Sequence, residues 1–140
     1  MQNVVTFVNG KIDKIFIHNI TGFIKNDLHF KISSLIINFI SAGQITEINK
    51  KYLKHNYSTD IITFNYSGNN DQFDGEIFIS VDDAEFNSRK YKVNFQDEIL
   101  RLVIHGLLHL KGYTDEEKDE KMKLKRLENR LVKEFKMNKL

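Results

Sequence analysis

Residues 94–115 read NFQDEILRLVIHGLLHLKGYTD, and this stretch decides which fold the sequence predicts. Its apolar residues recur with the 3.6-residue period of an α-helix and form two apolar faces, so the spacing predicts a helix that is buried on both sides. Asn94 is placed to cap the helix, and Gly112 to end it in a left-handed turn. A narrow polar stripe between the two faces consists of Glu98, Arg101, His105 and His109. We therefore expect the two histidines to lie on a buried or cleft-lining strip.

The two histidines of this stripe, His105 and His109, are one helical turn apart, so both rings can reach the same ion. A turn at Gly112 would bring Asp115 back toward that ion. Three protein ligands and an open position are typical of a catalytic metal site, whereas structural sites are closed. The pattern therefore predicts a metal ion held by His105, His109 and Asp115. The alternative is that each histidine is solvated or has its own hydrogen-bond partner.

The residue types suit zinc and also non-haem iron(II), and zinc is favoured because a helical histidine pair followed by a turn is a hydrolase geometry. The spacing H-x-x-x-H-x-x-G-x-x-D is similar to that of metzincin proteases. Those enzymes carry a general-base glutamate directly after the first histidine. Gly106 occupies that position here, so a metalloprotease is disfavoured.

Outside this helix, apolar periodicity and glycine turns predict further strands and helices. The predicted strands cover residues 4–8 (followed by a turn at 9–10), 32–40, 60–66 and 75–81, with a polar loop over 67–74. The predicted helices cover residues 12–25 and 46–53, residues 82–91 are predicted as a helical turn or a short helix, and a last helix carries Leu124, Leu127, Leu131 and Phe135. Residues 32–40 also fit a helical stripe, but their density of branched side chains favours a strand.

These elements lack a regular strand–helix–strand alternation, which predicts an α+β fold. We expect a single mixed β-sheet of about four strands packed by helices, with a metal-binding helix like that of zinc hydrolases. A chain of 140 residues is long enough for one domain with its own core, so a single domain is expected over residues 1–140.

The composition excludes several classes of function. No cysteine is present, which rules out disulfides, zinc ribbons, iron–sulfur clusters and thiol catalysis. A net charge of +2 is too small to diagnose a nucleic-acid-binding or membrane-surface protein. No apolar run is long enough to span a membrane, and the first residues lack the pattern of a secretory signal. We therefore expect a cytoplasmic protein without a membrane partner.

The histidine region resembles the hallmark of the YbeY-type endoribonucleases, a bacterial family of ribosomal-RNA maturation factors. That hallmark is H-G-x-L-H-L-x-G-Y-D-H, and residues 105–113 match each of its fixed positions. The last two positions differ, because Thr114 replaces an aspartate and Asp115 replaces the third histidine. Aspartate is a competent zinc ligand, so the resemblance still implies one zinc ion at His105, His109 and Asp115.

Other segments carry the same resemblance, which extends over residues 33–135. Residues 59–64 match the family pattern T-D/N-V-L-S-F-P, and residues 75–79 match G-D-I-x-I. Asn49 and Tyr52 match the pattern L-N-x-x-Y-R. Two positions depart from these patterns. Asn65 stands in place of a proline, and Leu53 stands in place of an arginine that is associated with activity.

The resemblance implies a zinc-dependent endoribonuclease that prefers single-stranded RNA and acts in ribosomal-RNA processing and ribosome quality control. Its expected site of action is the 3′ end of the small-subunit ribosomal RNA. The expected partners are RNA and the ribosome or its small subunit. The metal would lower the pKa of a water molecule or polarise the scissile phosphate.

The sequence offers several candidates for the remaining catalytic groups. The motif contains no obvious general base, and Asp60 and Glu98 are the candidates. The leucine in place of the family arginine leaves the phosphate-clamping cation open, with Lys54, His55 and Arg101 as candidates. Arg101 is equally interpretable as a structural partner of Glu98. The predicted catalytic set is therefore Arg101, Lys54 and Asp60.

The C-terminal stretch, residues 118–139, contains nine Lys and Arg residues against four Asp and Glu residues. A solvated helix face is one interpretation, and a basic contact to RNA or the ribosome is the other.

A second function from a different class also remains open. The chain would then be a ribosome-assembly or binding factor whose metal is structural and whose nuclease activity is weak, which Leu53 and the missing base favour.

Overall fold

The computed structural model describes residues 3–7 and 11–138. Its strands are β1 (Val4–Phe7), β2 (Lys31–Ile40), β3 (Ile61–Asn65) and β4 (Gln72–Ser80). Its helices are α1 (Lys14–Leu28), α2 (Ala42–Tyr52), α3 (Val81–Lys90), α4 (Phe95–Lys111) and α5 (Lys118–Met137). Within this described part of the chain, none of the helices is long and apolar enough to cross a membrane.

The strands form one mixed sheet in the order β1-β2-β4-β3. β1, β2 and β4 are parallel, and β3 pairs antiparallel with β4. In β2 the alternate residues Leu35, Ile37 and Phe39 are buried, and this two-residue period confirms a strand over residues 32–40. The open four-stranded sheet with its helices confirms the predicted α+β fold.

Helix α4 is central to the packing, because it contacts α1, α3, α5 and strands β3 and β4. Asn94 caps its first turn and Gly112 ends it, as the sequence predicts. A Cβ at Gly106 would lie 2.9 Å from Cδ1 of Ile77 and 3.1 Å from Cδ1 of Ile61. The glutamate that metzincin proteases carry at this position would therefore point at the sheet and have to displace Ile77 and Ile61.

The start of β4 differs from the prediction, because residues 72–74 of the predicted polar loop belong to the strand. Phe73 is 1% exposed and its ring stacks on Phe30 at 3.8 Å between centroids. Pairing with β2 and this aromatic contact extend the strand. Both contacts involve residues about forty positions away in the chain, so the local polar composition does not indicate them.

Several helix boundaries also differ from the prediction. α2 begins at Ala42 instead of residue 46, because Ser41 and Gln44 form a capping box there. α1 begins and ends two to three residues later than predicted, and α3 is a full helix. The predicted end of the first strand and its turn, residues 8–10, lie outside the described residues.

Candidate metal centre

A sharp turn after α4 brings the three predicted metal ligands together. Gly112 has a φ of 110°, a left-handed conformation that glycine adopts without strain. The N–H groups of Gly112 and Tyr113 donate to carbonyl groups in the last turn of α4 and close this reversal. The chain then returns Asp115 to the face that carries the two histidines.

The donor atoms of His105, His109 and Asp115 all lie within 4.8 Å of one another. The Nε2 atoms of the two histidines face each other at 2.9 Å. Two nitrogens that each lie about 2.0–2.1 Å from zinc at a tetrahedral angle are roughly 3.3 Å apart, so a small adjustment of the rings admits the ion. Two imidazoles and one carboxylate also form a suitable donor set. The three residues therefore fit a metal ion.

The surroundings of His109 favour its neutral form. Burial is the largest influence that lowers the pKa of His109, and the neighbouring His105 lowers it further. Asp115 and a hydrogen bond with the Tyr113 backbone act in the opposite direction without reversing the shift of this pKa. Because a metal binds the neutral imidazole, this environment prepares His109 for ligation.

The three residues line a cleft of about 550 Å³ together with residues of α2, β3 and the segment between them. Asp60 lines the same cleft immediately before β3. Burial raises the pKa of Asp60; Arg101 acts to lower this pKa, and Glu98 to raise it. Asn87 donates a hydrogen bond to the Asp60 carboxylate at 3.1 Å. The cleft thus combines the candidate metal ligands with a carboxylate that is more basic than an ordinary aspartate.

Comparison with known proteins agrees with this geometry. The profile of the family described as Endoribonuclease YbeY matches residues 3–136 of the chain. The chain belongs to the YbeY endoribonuclease family. The YbeY protein of Chlorobium phaeobacteroides is 41% identical over 106 residues, which cover 76% of this chain and 74% of the relative. The YbeY protein of Bacteroides thetaiotaomicron is 39% identical over 94 residues, or 67% of this chain and 68% of the relative.

A solved structure shows the same fold. A Thermotoga maritima protein whose structure was determined in solution superposes with a TM-score of 0.65, and the match covers 97% of this chain and 93% of that protein. The two sequences are 24% identical. This chain has the helical histidine pair of the YbeY hallmark, and Asp115 stands where that hallmark has its third histidine.

Arg101, one of the predicted catalytic residues, lies in a network of ion pairs. Its guanidinium donates to Glu98 at 2.9 and 2.7 Å and to Glu128 at 3.0 Å, and one of its nitrogens lies 3.7 Å from Asp60. The hydrogen bonds to Glu98 are the main reason that the pKa of Arg101 is raised. Arg101 lines a neighbouring groove and not the metal cleft. The hydrogen bonds that hold its guanidinium on Glu98 and Glu128 favour the structural interpretation of Arg101 over the phosphate clamp.

Lys54, a second predicted catalytic residue, is exposed and is not among the residues that line the cleft. Its backbone has a φ of 58°, so the chain changes direction there after α2. The flanking residues Leu53 and His55 do line the cleft. Where the YbeY family pattern has an arginine, this cleft therefore presents the apolar side chain of Leu53, which is 44% exposed.

Sequence reasoning missed Glu128, which lies on α5 and reaches the metal centre. Its Oε2 atom is 2.9 Å from Nδ1 of His105. Burial acts to raise the pKa of Glu128, but the hydrogen bond with His105 and the charge of Arg101 outweigh it and lower this pKa. The sequence did contain a signal, because Glu128 shares the buried stripe of α5 with Leu124 and Leu131. A carboxylate at a core-facing position requires a buried partner.

Proposed function

We propose that this chain is a zinc-dependent endoribonuclease that cleaves single-stranded RNA and matures the 3′ end of the small-subunit ribosomal RNA, with a role in ribosome quality control. Membership of the YbeY family supports RNA cleavage in ribosomal-RNA processing. We also propose the ribosome or its small subunit as partner, the cytoplasm as location, and residues 1–140 as one catalytic domain. The observation that carries the proposal is the convergence of His105, His109 and Asp115 in a cleft.

In this proposal His105, His109 and Asp115 are the protein ligands of one zinc ion. When bound, zinc supplies Lewis acidity that polarises a phosphodiester and favours the ionisation of water. Three protein ligands leave room for substrate, which suits catalysis and not a purely structural role. The exposed position of Asp115 and the half-buried histidines keep the group accessible from the cleft.

Asp60 is our proposed acceptor for the proton of the attacking nucleophile. It lines the same cleft as the metal ligands, and burial raises its pKa toward the range useful for a general base. Asn87 and Arg101 hold its carboxylate in place from one side. The other candidate base, Glu98, does not line the metal cleft, and both of its carboxylate oxygens already accept hydrogen bonds from Arg101 or Asn87.

A second groove, of about 540 Å³, supports an RNA path across the metal centre. His105 and Asp115 line both this groove and the metal cleft, so the two are adjacent. The groove lies between α4 and α5, and Lys121 and Lys125 line it. Neither lysine takes part in an ion pair with any residue that the structure describes. We propose that the RNA strand continues from the cleft into this groove, which favours the RNA interpretation of the basic C-terminal stretch.

Replacing both Lys121 and Lys125 with glutamine is expected to weaken RNA binding and its dependence on salt. The slope of log affinity against log salt should fall in magnitude by about 0.7 for each phosphate contact that is lost. Fluorescence anisotropy of a single-stranded oligonucleotide, titrated at several salt concentrations, measures this slope. The matched control replaces Lys123 and Lys133, which are exposed on α5 and do not line the groove. Equal slopes for the two double variants would contradict the proposed path.

Metal removal tests the proposed function itself. Chelation is expected to abolish cleavage of a fluorescent single-stranded RNA, and addition of zinc to restore it, because the cleft offers no other Lewis acid among its lining residues. Casein serves as the control substrate and should remain intact. RNA cleavage that persists unchanged in the chelated protein would contradict a metal-dependent nuclease. Zinc binding without any cleavage would instead support a ribosome-binding factor with a structural metal.

A further inference from the structure

Glu128 is held on both sides of its carboxylate. Its side chain is 6% exposed, one oxygen accepts a hydrogen bond from Arg101 at 3.0 Å, and the other lies 2.9 Å from Nδ1 of His105. The residue projects from α5, whereas His105 belongs to α4. The docking of α5 on α4 therefore connects the end of the chain with the candidate metal centre.

This contact determines which nitrogen of His105 is free. A carboxylate accepts hydrogen bonds, so Nδ1 carries the proton and donates it to Glu128. The lone pair is then on Nε2, the atom that faces Nε2 of His109 at 2.9 Å. A carboxylate on the far nitrogen of a metal-binding histidine fixes its tautomer and orientation and increases its basicity.

The charge balance of this buried network also favours a positive charge near His105. Glu98 is 2% and Glu128 is 5% exposed, and Arg101 is hydrogen-bonded to both carboxylates. One guanidinium balances one of the two negative charges, while buried charges require compensation. Among the described residues, the other hydrogen-bond partner of Glu128 is His105. A divalent cation on Nε2 of His105 would supply the missing positive charge through the imidazole.

We infer that Glu128 is a positioning residue of the metal centre, which orients His105 and strengthens it as a ligand. The inference rests on the proposed ligand role of His105 and His109. It assigns a task to α5 that extends beyond packing and RNA contact, because the last helix then contributes to metal affinity. Arg101 would then act on the metal centre indirectly, because it fixes the second oxygen of Glu128.

The first test is the tautomer of His105 in the metal-free wild-type protein. Long-range ¹H–¹⁵N correlation spectra at neutral pH should show a protonated Nδ1 and an unprotonated Nε2 for this ring. The opposite tautomer in the wild type would overturn the inference without any variant. In Glu128→Gln the preference for the Nδ1–H form should be lost, because an amide can accept from or donate to the ring.

The second test is zinc affinity, measured by competition with a chromophoric chelator. Glu128→Gln is expected to bind zinc about 10- to 100-fold more weakly than the wild type. Glu134→Gln is the matched control, since Glu134 lies on the same helix, is 37% exposed and pairs with Arg130. Affinities that agree between the two variants would overturn the inference. Zinc binding by His109→Ala equal to that of wild type would instead refute the ligand assignment, while the tautomer measurement still decides the role of Glu128.

Discussion

His109→Ala is expected to remove tight zinc binding and to lower the rate of single-stranded RNA cleavage roughly a thousandfold, because metal Lewis acidity contributes several kcal/mol and each 1.36 kcal/mol is a factor of ten. In the proposed site His109 is one of three protein ligands, and its loss leaves only His105 and Asp115 of that group. Zinc content and initial cleavage rates are measured on the same preparation.

A second histidine variant controls for general effects of the substitution. His29 is exposed at the end of α1 with a φ of 57°, outside the metal cleft. Asparagine tolerates this left-handed conformation, so His29→Asn should keep both the zinc content and the cleavage rate of the wild type. If His109→Ala kept its full zinc content, His109 would not be a zinc ligand. Normal cleavage by a zinc-free variant would eliminate the catalytic role of the metal.

The convergence of His105, His109 and Asp115 was predictable from sequence because its determinants are local. The helix period places His105 and His109 on one face, and Gly112 reverses the chain within three residues of Asp115. The pairing of the two histidines spans one turn of helix, and the return of Asp115 needs one tight turn. Short-range geometry of this kind follows from residue type and spacing, and the family hallmark adds to the same positions.

The network behind the group was not predictable, because it depends on how distant elements pack. The basic C-terminal stretch contains several carboxylates, and the docking of α5 on α4 selects Glu128 to face His105. The same docking brings Glu128 to Arg101, whereas the pair of Arg101 with Glu98 lies within α4 and was one interpretation of the sequence. Likewise, Lys54 and His55 are adjacent in sequence, yet His55 alone of the two lines the cleft.

Arg101→Met is expected to lower the free energy of unfolding of the metal-free protein by about 3 kcal/mol, because removing one partner leaves buried carboxylates uncompensated. Glu98 and Glu128 are 2% and 5% exposed, so water compensates their charges only in small part. Arg101 itself is 34% exposed, which places the expected loss at the lower end of the range for buried pairs. Urea denaturation followed by circular dichroism measures the change.

A matched substitution and a double variant test whether the loss of stability comes from the ion-pair network of Arg101. Arg130→Met removes an arginine of α5 that is 49% exposed and pairs with Asp27 and Glu134, and its cost should stay below about 1 kcal/mol. Adding Glu98→Gln to Arg101→Met removes one of the uncompensated charges, so the double variant should regain part of the lost stability. Were Arg101 a phosphate clamp, the single variant would unfold like wild type and bind RNA more weakly. If Arg101→Met lowers the stability and Glu98→Gln restores part of it, then Arg101 holds Glu128 against His105. The same result argues against an arginine whose main role is to hold the substrate.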